Sequence, residues 1–196
     1  MDLIENVGRR ARVSGDQGDF IDVGVFSVNG FERNSLWRND GSGHFAEVAF
    51  LENAARIADG RGLGVLDIDR DGDLDLVLNN YLQPAELLVH RTPSSHGWLE
   101  LELVGVESNR SAIGARVVIE HGGKRQEREV GSTAGYLSGQ SLRQHFGLGD
   151  AGSVDALEVR WPSGRVERFG KTVAKRAYRL REGDGWLAPV DYSRVR

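Results

Sequence analysis

Cysteine is absent from these 196 residues, and proline occurs only 4 times. Without a thiol there are no disulfides, no thiolate nucleophile and no cysteine metal ligands, although the compartment stays open. No apolar run approaches the ~18 residues that cross a bilayer. The opening stretch "MDLIENVGRRARVSGDQGDF" lacks the apolar centre of a signal peptide, so no export address is read there. A basic surplus is missing as well. The formal charge is −4, which argues against nucleic-acid recognition, because phosphate binding wants a basic face.

What is present is glycine. With 26 glycines separating many short alternating runs, the chain reads as an all-β protein with frequent turns. Hydrophobic residues at 39% and charged residues at 28% fit a globular chain rather than a disordered one. In the first part, "DFIDVGVFSV", "SLWRN", "HFAEVAF", "RGLGVLDI", "LDLVLNN" and "ELLVHR" read as strands, while "FLENAARIAD" fits either a short helix or an ordered loop. "HRTPSSHG", with its Pro, Ser and Gly, is the linker. Beyond it, "WLELELVGV", "GARVVIEHGG", "KRQEREVG", "LRQHFGLG", "VDALEVRWPSG" and "RVERFG" place apolar residues at alternate positions, as strands with one buried face do. "EHGGKR" carries a hairpin signal, and "WPSGRV" reads as a second turn. The expected organisation is a repeat region over 1–90, a β-sandwich-like domain over 97–183 and a tail over 184–196. A faint internal repeat relates "GDFIDVGVFSVNGFERNSLWRN" to "GDLDLVLNNYLQPAELLVHR".

The most informative stretch is "LGVLDIDRDGDLDLVLNN". Asp67, Asp69, Asp71 and Asp75 occupy positions 1, 3, 5 and 9 of a loop, with Gly72 at position 6. Hard cations such as calcium take six to eight oxygen ligands, and a loop wrapped around one turns alternate side chains inward. Glycine at position 6 permits the sharp turn. Asp73, at position 7, would offer its backbone carbonyl. A divalent cation among these carboxylates would relieve their mutual repulsion, so Asp67, Asp69, Asp71, Asp73 and Asp75 form the expected Ca2+ site. Magnesium suits it less, because that ion keeps several waters. The competing reading is an acidic hairpin turn with solvated aspartates. An EF-hand is excluded: position 12 is Leu78, not glutamate, and the flanks read as strands. Asp16, Asp19 and Asp22 resemble a degraded copy of the loop with the Gly/Asp order reversed.

"DIDRDGDLDLVLNN" resembles the calcium loop of the FG-GAP (VCBS) repeats found in β-propellers, and "LWRNDGSGHFAEVA" is similar to the strand and turn preceding the next such loop. "SNRSAIGARVVI", "GYLSGQ", "HFGLG" and "VRWPSGRVE" resemble the ASPIC/UnbV domain, which follows FG-GAP repeats in the cartilage acidic protein family. This resemblance implies partial propeller blades followed by a β-sandwich-like domain, calcium-dependent folding and interaction, and an extracellular or periplasmic setting. It implies no shared chemistry. A closed propeller uses about 4–8 blades, more than some 90 residues supply at ~50 per blade. The expectation is therefore a C-terminal portion of a longer protein, or a truncated product, with open blade edges able to associate.

Catalytic constellations are weak. "GLGDAG" matches G-x-G-x-x-G, but a strand-like run follows it, so a turn is expected. The 5 histidines show no metal-binding spacing, and His145 reads as structural, satisfied by a backbone partner. Arg143, near "GYLSGQ", is a candidate ligand contact; its alternative is a solvated arginine at a strand end. These residues point to a non-enzymatic, calcium-binding interaction module with a protein or glycan partner. The rival is an accessory part of an enzyme or biosynthetic-pathway protein acting on polysaccharide or natural-product substrates.

Overall fold

The structure, a computed structural model, describes residues 32–91 and 95–191. The expected strand "DFIDVGVFSV" and the aspartates Asp16, Asp19 and Asp22 lie outside the described residues. Seventeen strands follow one another, with no helix among the described residues. They are β1 (Trp37–Asn39), β2 (Phe45–Glu47), β3 (Gly60–Leu66), β4 (Asp75–Asn80), β5 (Glu86–Leu88), β6 (Gly97–Val104), β7 (Arg116–His121), β8 (Lys124–Glu129) and β9 (Thr133–Gly135). The series continues with β10 (Ser138–Gly139), β11 (Gln144–Gly149), β12 (Ser153–Val154), β13 (Ala156–Arg160), β14 (Val166–Phe169), β15 (Thr172–Val173), β16 (Arg176–Arg181) and β17 (Ala188–Pro189). The protein is all-β, and among the described residues no sheet closes on itself.

Two compact units divide the chain: Met1–Gly62 with Val77–Leu88, and Leu63–Leu76 with Val89–Arg196. In the first, β1 and β2 pair antiparallel with Trp37 opposite Glu47 and Asn39 opposite Phe45. The "ENAARIAD" stretch, left open between helix and loop by the sequence, forms turns. Its backbone bonds run from Glu52 N to Val48 O and from Ala54 N to Ala49 O, and Asn53 sits at φ 54°, which ends any helical course. The buried apolar residues here are small (Val48, Ala49, Ala54 and Ala58), whereas Trp37, Phe45, Phe50 and Leu51 are exposed.

The second unit contains a true core. One four-stranded sheet has the order β11-β6-β16-β17 and another the order β14-β13-β7-β8. Alternation in β6 turns Leu99, Leu101 and Leu103 inward, where they meet Val117 and Ile119 of β7, Leu157 and Val159 of β13, and Phe146 and Leu180. This is the sandwich expected from the period-two pattern. Gly122 and Gly123 both adopt positive φ (51° and 73°) between β7 and β8, as the expected two-residue hairpin turn demands. β8, "KRQERE", is an edge strand exposed at nearly every position, and its charge discourages further pairing. Two features were not read from the sequence. β16 runs parallel to β6, Leu99 facing Arg176, and the tail contributes β17, where Pro189 pairs with Tyr178.

Candidate metal centre

The aspartate loop begins where β3 ends and finishes at the first residue of β4, so strands flank it on both sides. This agrees with the exclusion of an EF-hand. Gly72 has φ 98°, the left-handed conformation expected at position 6. Arg70 also has positive φ, 65°, and together the two residues curl the chain over its own carboxylates. Asp67 accepts the N–H of Arg70 at 2.6 Å on one oxygen and that of Gly72 at 2.9 Å on the other. Asp71 accepts the N–H of Asp73 at 2.9 Å.

Oxygens of Asp67, Asp69 and Asp71 lie within 4.8 Å of one another. Burial pushes the Asp67 carboxyl up, and the charges of Asp71 and Glu100 push the same way, against the N–H donors of Gly72 and Arg70. Gathered, all-oxygen and anionic, this donor set suits a hard divalent cation. The other two aspartates of the expected set are placed differently. The Asp73 side chain faces His90, with 3.4 Å between Oδ2 and Nδ1. Asp75 is 1% exposed, and its two oxygens accept the N–H groups of Ile68 and His90, both at 2.8 Å. Asp75 thereby ties the start of the loop to the chain entering the linker.

The loop is fastened to the sandwich by residues that the sequence did not single out for it. Gly72 C=O accepts a hydrogen bond from His145 Nε2 at 2.8 Å. A carbonyl can only accept, so Nε2 carries the hydrogen, and His145 has the backbone partner expected of it. Trp98 stacks on the His145 ring, centroids 6.2 Å apart and planes 16° from parallel. A Cβ on Gly72 would fall 1.9 Å from Trp98 Nε1, so glycine is required here by close approach as well as by φ. Gln140 behaves as a surrogate strand. Its Oε1 accepts the Val65 N–H at 3.0 Å, and its Nε2 donates to Leu63 C=O at 3.1 Å. Ser138 Oγ accepts the Leu63 N–H at 2.9 Å.

Beside the loop lies a cleft of about 660 Å³ lined by Asp67, Glu100, Arg128, Arg143, Gln144 and His145, among others. Arg143 directly precedes β11 and is partly exposed, but its charge is paired. Its guanidinium lies 3.0 Å from Glu100 and 3.4 Å from Glu102, and Arg179 also reaches Glu102 at 3.1 Å. The "GLGDAG" stretch is the end of β11 followed by the turn into β12, another strand, with Gly149 at φ 57°. Just after β16, Glu182 is 3% exposed and gathers the Val106, Glu107 and Ser108 N–H groups on one oxygen, at 2.7, 2.9 and 2.8 Å.

An open all-β repeat unit followed by this sandwich, with an Asp-rich corner between two strands, defines the class. Residues 20–78 match the FG-GAP-like repeat and residues 105–186 match ASPIC and UnbV. The chain belongs to the proteins that join an FG-GAP-like repeat to an ASPIC and UnbV domain. It is similar to cartilage acidic protein 1 of Xenopus tropicalis, 34% identical over 60% of this chain and 18% of that protein. Cartilage acidic protein 1 of Mus musculus is 33% identical and that of Homo sapiens 32% identical, each over 55% of this chain and 17% of the relative. The chain thus spans less than a fifth of the length of these relatives.

Proposed function

We propose that this chain is a calcium-binding, non-enzymatic interaction module of an extracellular protein. The observation that carries the reading is the convergence of the Asp67, Asp69 and Asp71 carboxylates within 4.8 Å around a turn made by Gly72. Calcium would be held by these oxygens, with Asp73 offering its backbone carbonyl and Asp75 bracing the loop through Ile68 and His90. The ion's role is structural: it neutralises the like charges and fixes the strand-loop-strand corner. The extracellular setting follows the likeness to cartilage acidic protein 1, whose name places it in cartilage. No helix among the described residues is long and apolar enough to cross a membrane. The partner is a protein or a glycan, and the open β1–β2 ladder with exposed Trp37 and Phe45 offers an edge for association with further blades.

Isothermal titration of the metal-stripped chain with calcium tests the reading. The expected result is one saturable site in the wild type that Asp69→Ala and Asp71→Ala each abolish. Identical weak heats in all three proteins would leave only a solvated acidic turn.

The cleft favours a second reading, an accessory part acting on polysaccharide or natural-product substrates, with Arg143 as a ligand contact. Its polar groups, however, are engaged: His145 Nε2 with Gly72 C=O, and Arg143 with Glu100 and Glu102. A small-molecule role for the cleft predicts saccharide binding that Arg143→Lys weakens while leaving the fold intact.

A further inference from the structure

We infer that the sandwich imposes the shape of the aspartate corner, with His145 and Gln140 as its positioning residues, so that the corner and the sandwich open as one unit. The inference rests on the calcium reading only for its consequence in metal binding; the mechanical part stands on contacts alone.

Each contact acts at a point where the corner has little hold of its own. Gln140 takes both a donor and an acceptor from β3, through Val65 N and Leu63 O. It comes from a segment 75 and 77 residues away in sequence, so its bonds exist only while the sandwich is folded. Ser138 Oγ takes the Leu63 N–H. At the other end of the corner, His145 Nε2 holds the carbonyl of Gly72. That residue sits at φ 98°, and its N–H is bound to Asp67. The peptide groups on either side of Gly72 are thus fixed from opposite directions, by Asp67 within the loop and by His145 from β11. Trp98 closes the space a side chain would need and stacks on His145, which orients the ring. Because Asp67 is the first carboxylate of the cluster and Asp71 precedes Gly72, displacement of the Gly72 peptide spreads the oxygens that converge.

The family matches, 20–78 and 105–186, divide the chain between its repeat and its second domain. The contacts instead place Leu63–Leu76 with Val89–Arg196. A cation bound in the corner would therefore stabilise the sandwich, and loosening the sandwich at β11 would weaken the cation. Linkage makes the two effects reciprocal.

The test uses the full chain and two variants of one residue. His145→Leu removes the donor to Gly72, and His145→Gln supplies an amide donor at similar reach. In EDTA, hydrogen exchange is expected to speed up about tenfold at the amides of residues 67–73 in His145→Leu and at the Val65 amide in Gln140→Ala, with His145→Gln close to wild type. Unchanged exchange at these amides in both His145→Leu and Gln140→Ala overturns the inference whether or not calcium binds. Where the wild type binds calcium, His145→Leu is expected to weaken it about tenfold (1.4 kcal/mol) and His145→Gln by less than about threefold. Equal affinity in all three proteins overturns the metal consequence. Absence of calcium binding by the wild type would defeat the proposed function and leave the exchange result to decide the mechanical claim.

Discussion

Replacing Glu182 by Gln is expected to destabilise the sandwich more than any change on its surface. The residue follows β16 and is 3% exposed. One oxygen accepts three consecutive backbone N–H groups, those of Val106, Glu107 and Ser108. The other accepts the hydroxyls of Ser108, at 2.9 Å, and Ser163. The carboxylate therefore fastens the loop after β6 and the turn after β13 to the end of β16. Burial alone would push its carboxyl up, but the hydrogen bonds from Ser163, Ser108 and Val106 outweigh burial and pull it down to about 2 from the usual 4.5. Hydrogen bonds to a charged acceptor contribute ~1.5–3 kcal/mol each, offset in part by desolvation. Glutamine keeps one acceptor oxygen but turns an NH2 toward donors, so a loss of about 2–3 kcal/mol is expected. In a domain of about 100 residues this lowers the melting midpoint by roughly 8–15 °C. Because the folded pKa is depressed, this stabilisation is fully present above about pH 4.5 and drains as pH falls from there toward about 2. Urea unfolding followed by tryptophan fluorescence, repeated from pH 6 to pH 2, measures both effects. The Gln variant should be weaker at pH 6 and should converge on wild type as acid removes the wild-type advantage. A variant as stable as wild type at pH 6, or a constant gap across the range, would refute the assignment of an ionised acceptor.

Two further substitutions follow from the site. Gly72→Ala forces a side chain into Trp98 at φ 98°; a cost of about 2–4 kcal/mol is expected in urea unfolding, with a shift in Trp emission, and a change under 0.5 kcal/mol would contradict the close approach. Arg143→Ala withdraws the guanidinium from Glu100, which is 9% exposed, and from Glu102. It should therefore lower stability by about 1–3 kcal/mol, and the loss should shrink in an Arg143→Ala, Glu100→Gln double variant; additive losses would show the pair is not coupled.

Much of the sandwich was legible because alternation is a local signal. In "WLELELV" the leucines mark the inward face, and a Gly-Gly pair between two such runs marks the hairpin. β16 was harder to read: its sequence "RAYRLR" buries Ala177, Tyr178 and Leu180, so the pattern is broken by two adjacent buried residues and masked by arginine. Its pairing with β6 is parallel and long-range, which no local pattern encodes. The aspartate loop shows the same division. Carboxylates at every second residue and glycine at position 6 fix the curl of the chain, and the convergence of Asp67, Asp69 and Asp71 follows from that spacing. The inward turn of Asp75 toward backbone N–H groups and the pairing of Asp73 with His90 depend on where the linker returns. His145 lies 73 residues from its partner Gly72; only the folded sandwich brings them together.

The proposed function stands or falls with calcium binding at the corner and the stability that binding adds. Thermal unfolding of the purified chain in millimolar calcium and in EDTA, with Asp69→Ala and Asp71→Ala alongside, is the decisive measurement. Free calcium at 100 times the dissociation constant adds about 2.7 kcal/mol to a protein that binds it only when folded, equivalent to a rise of roughly 5–10 °C for a chain of this length. That rise is expected in the wild type and should be lost in both variants. Equal midpoints in calcium and EDTA for the wild type would contradict the proposed function and leave the five aspartates as an acidic turn.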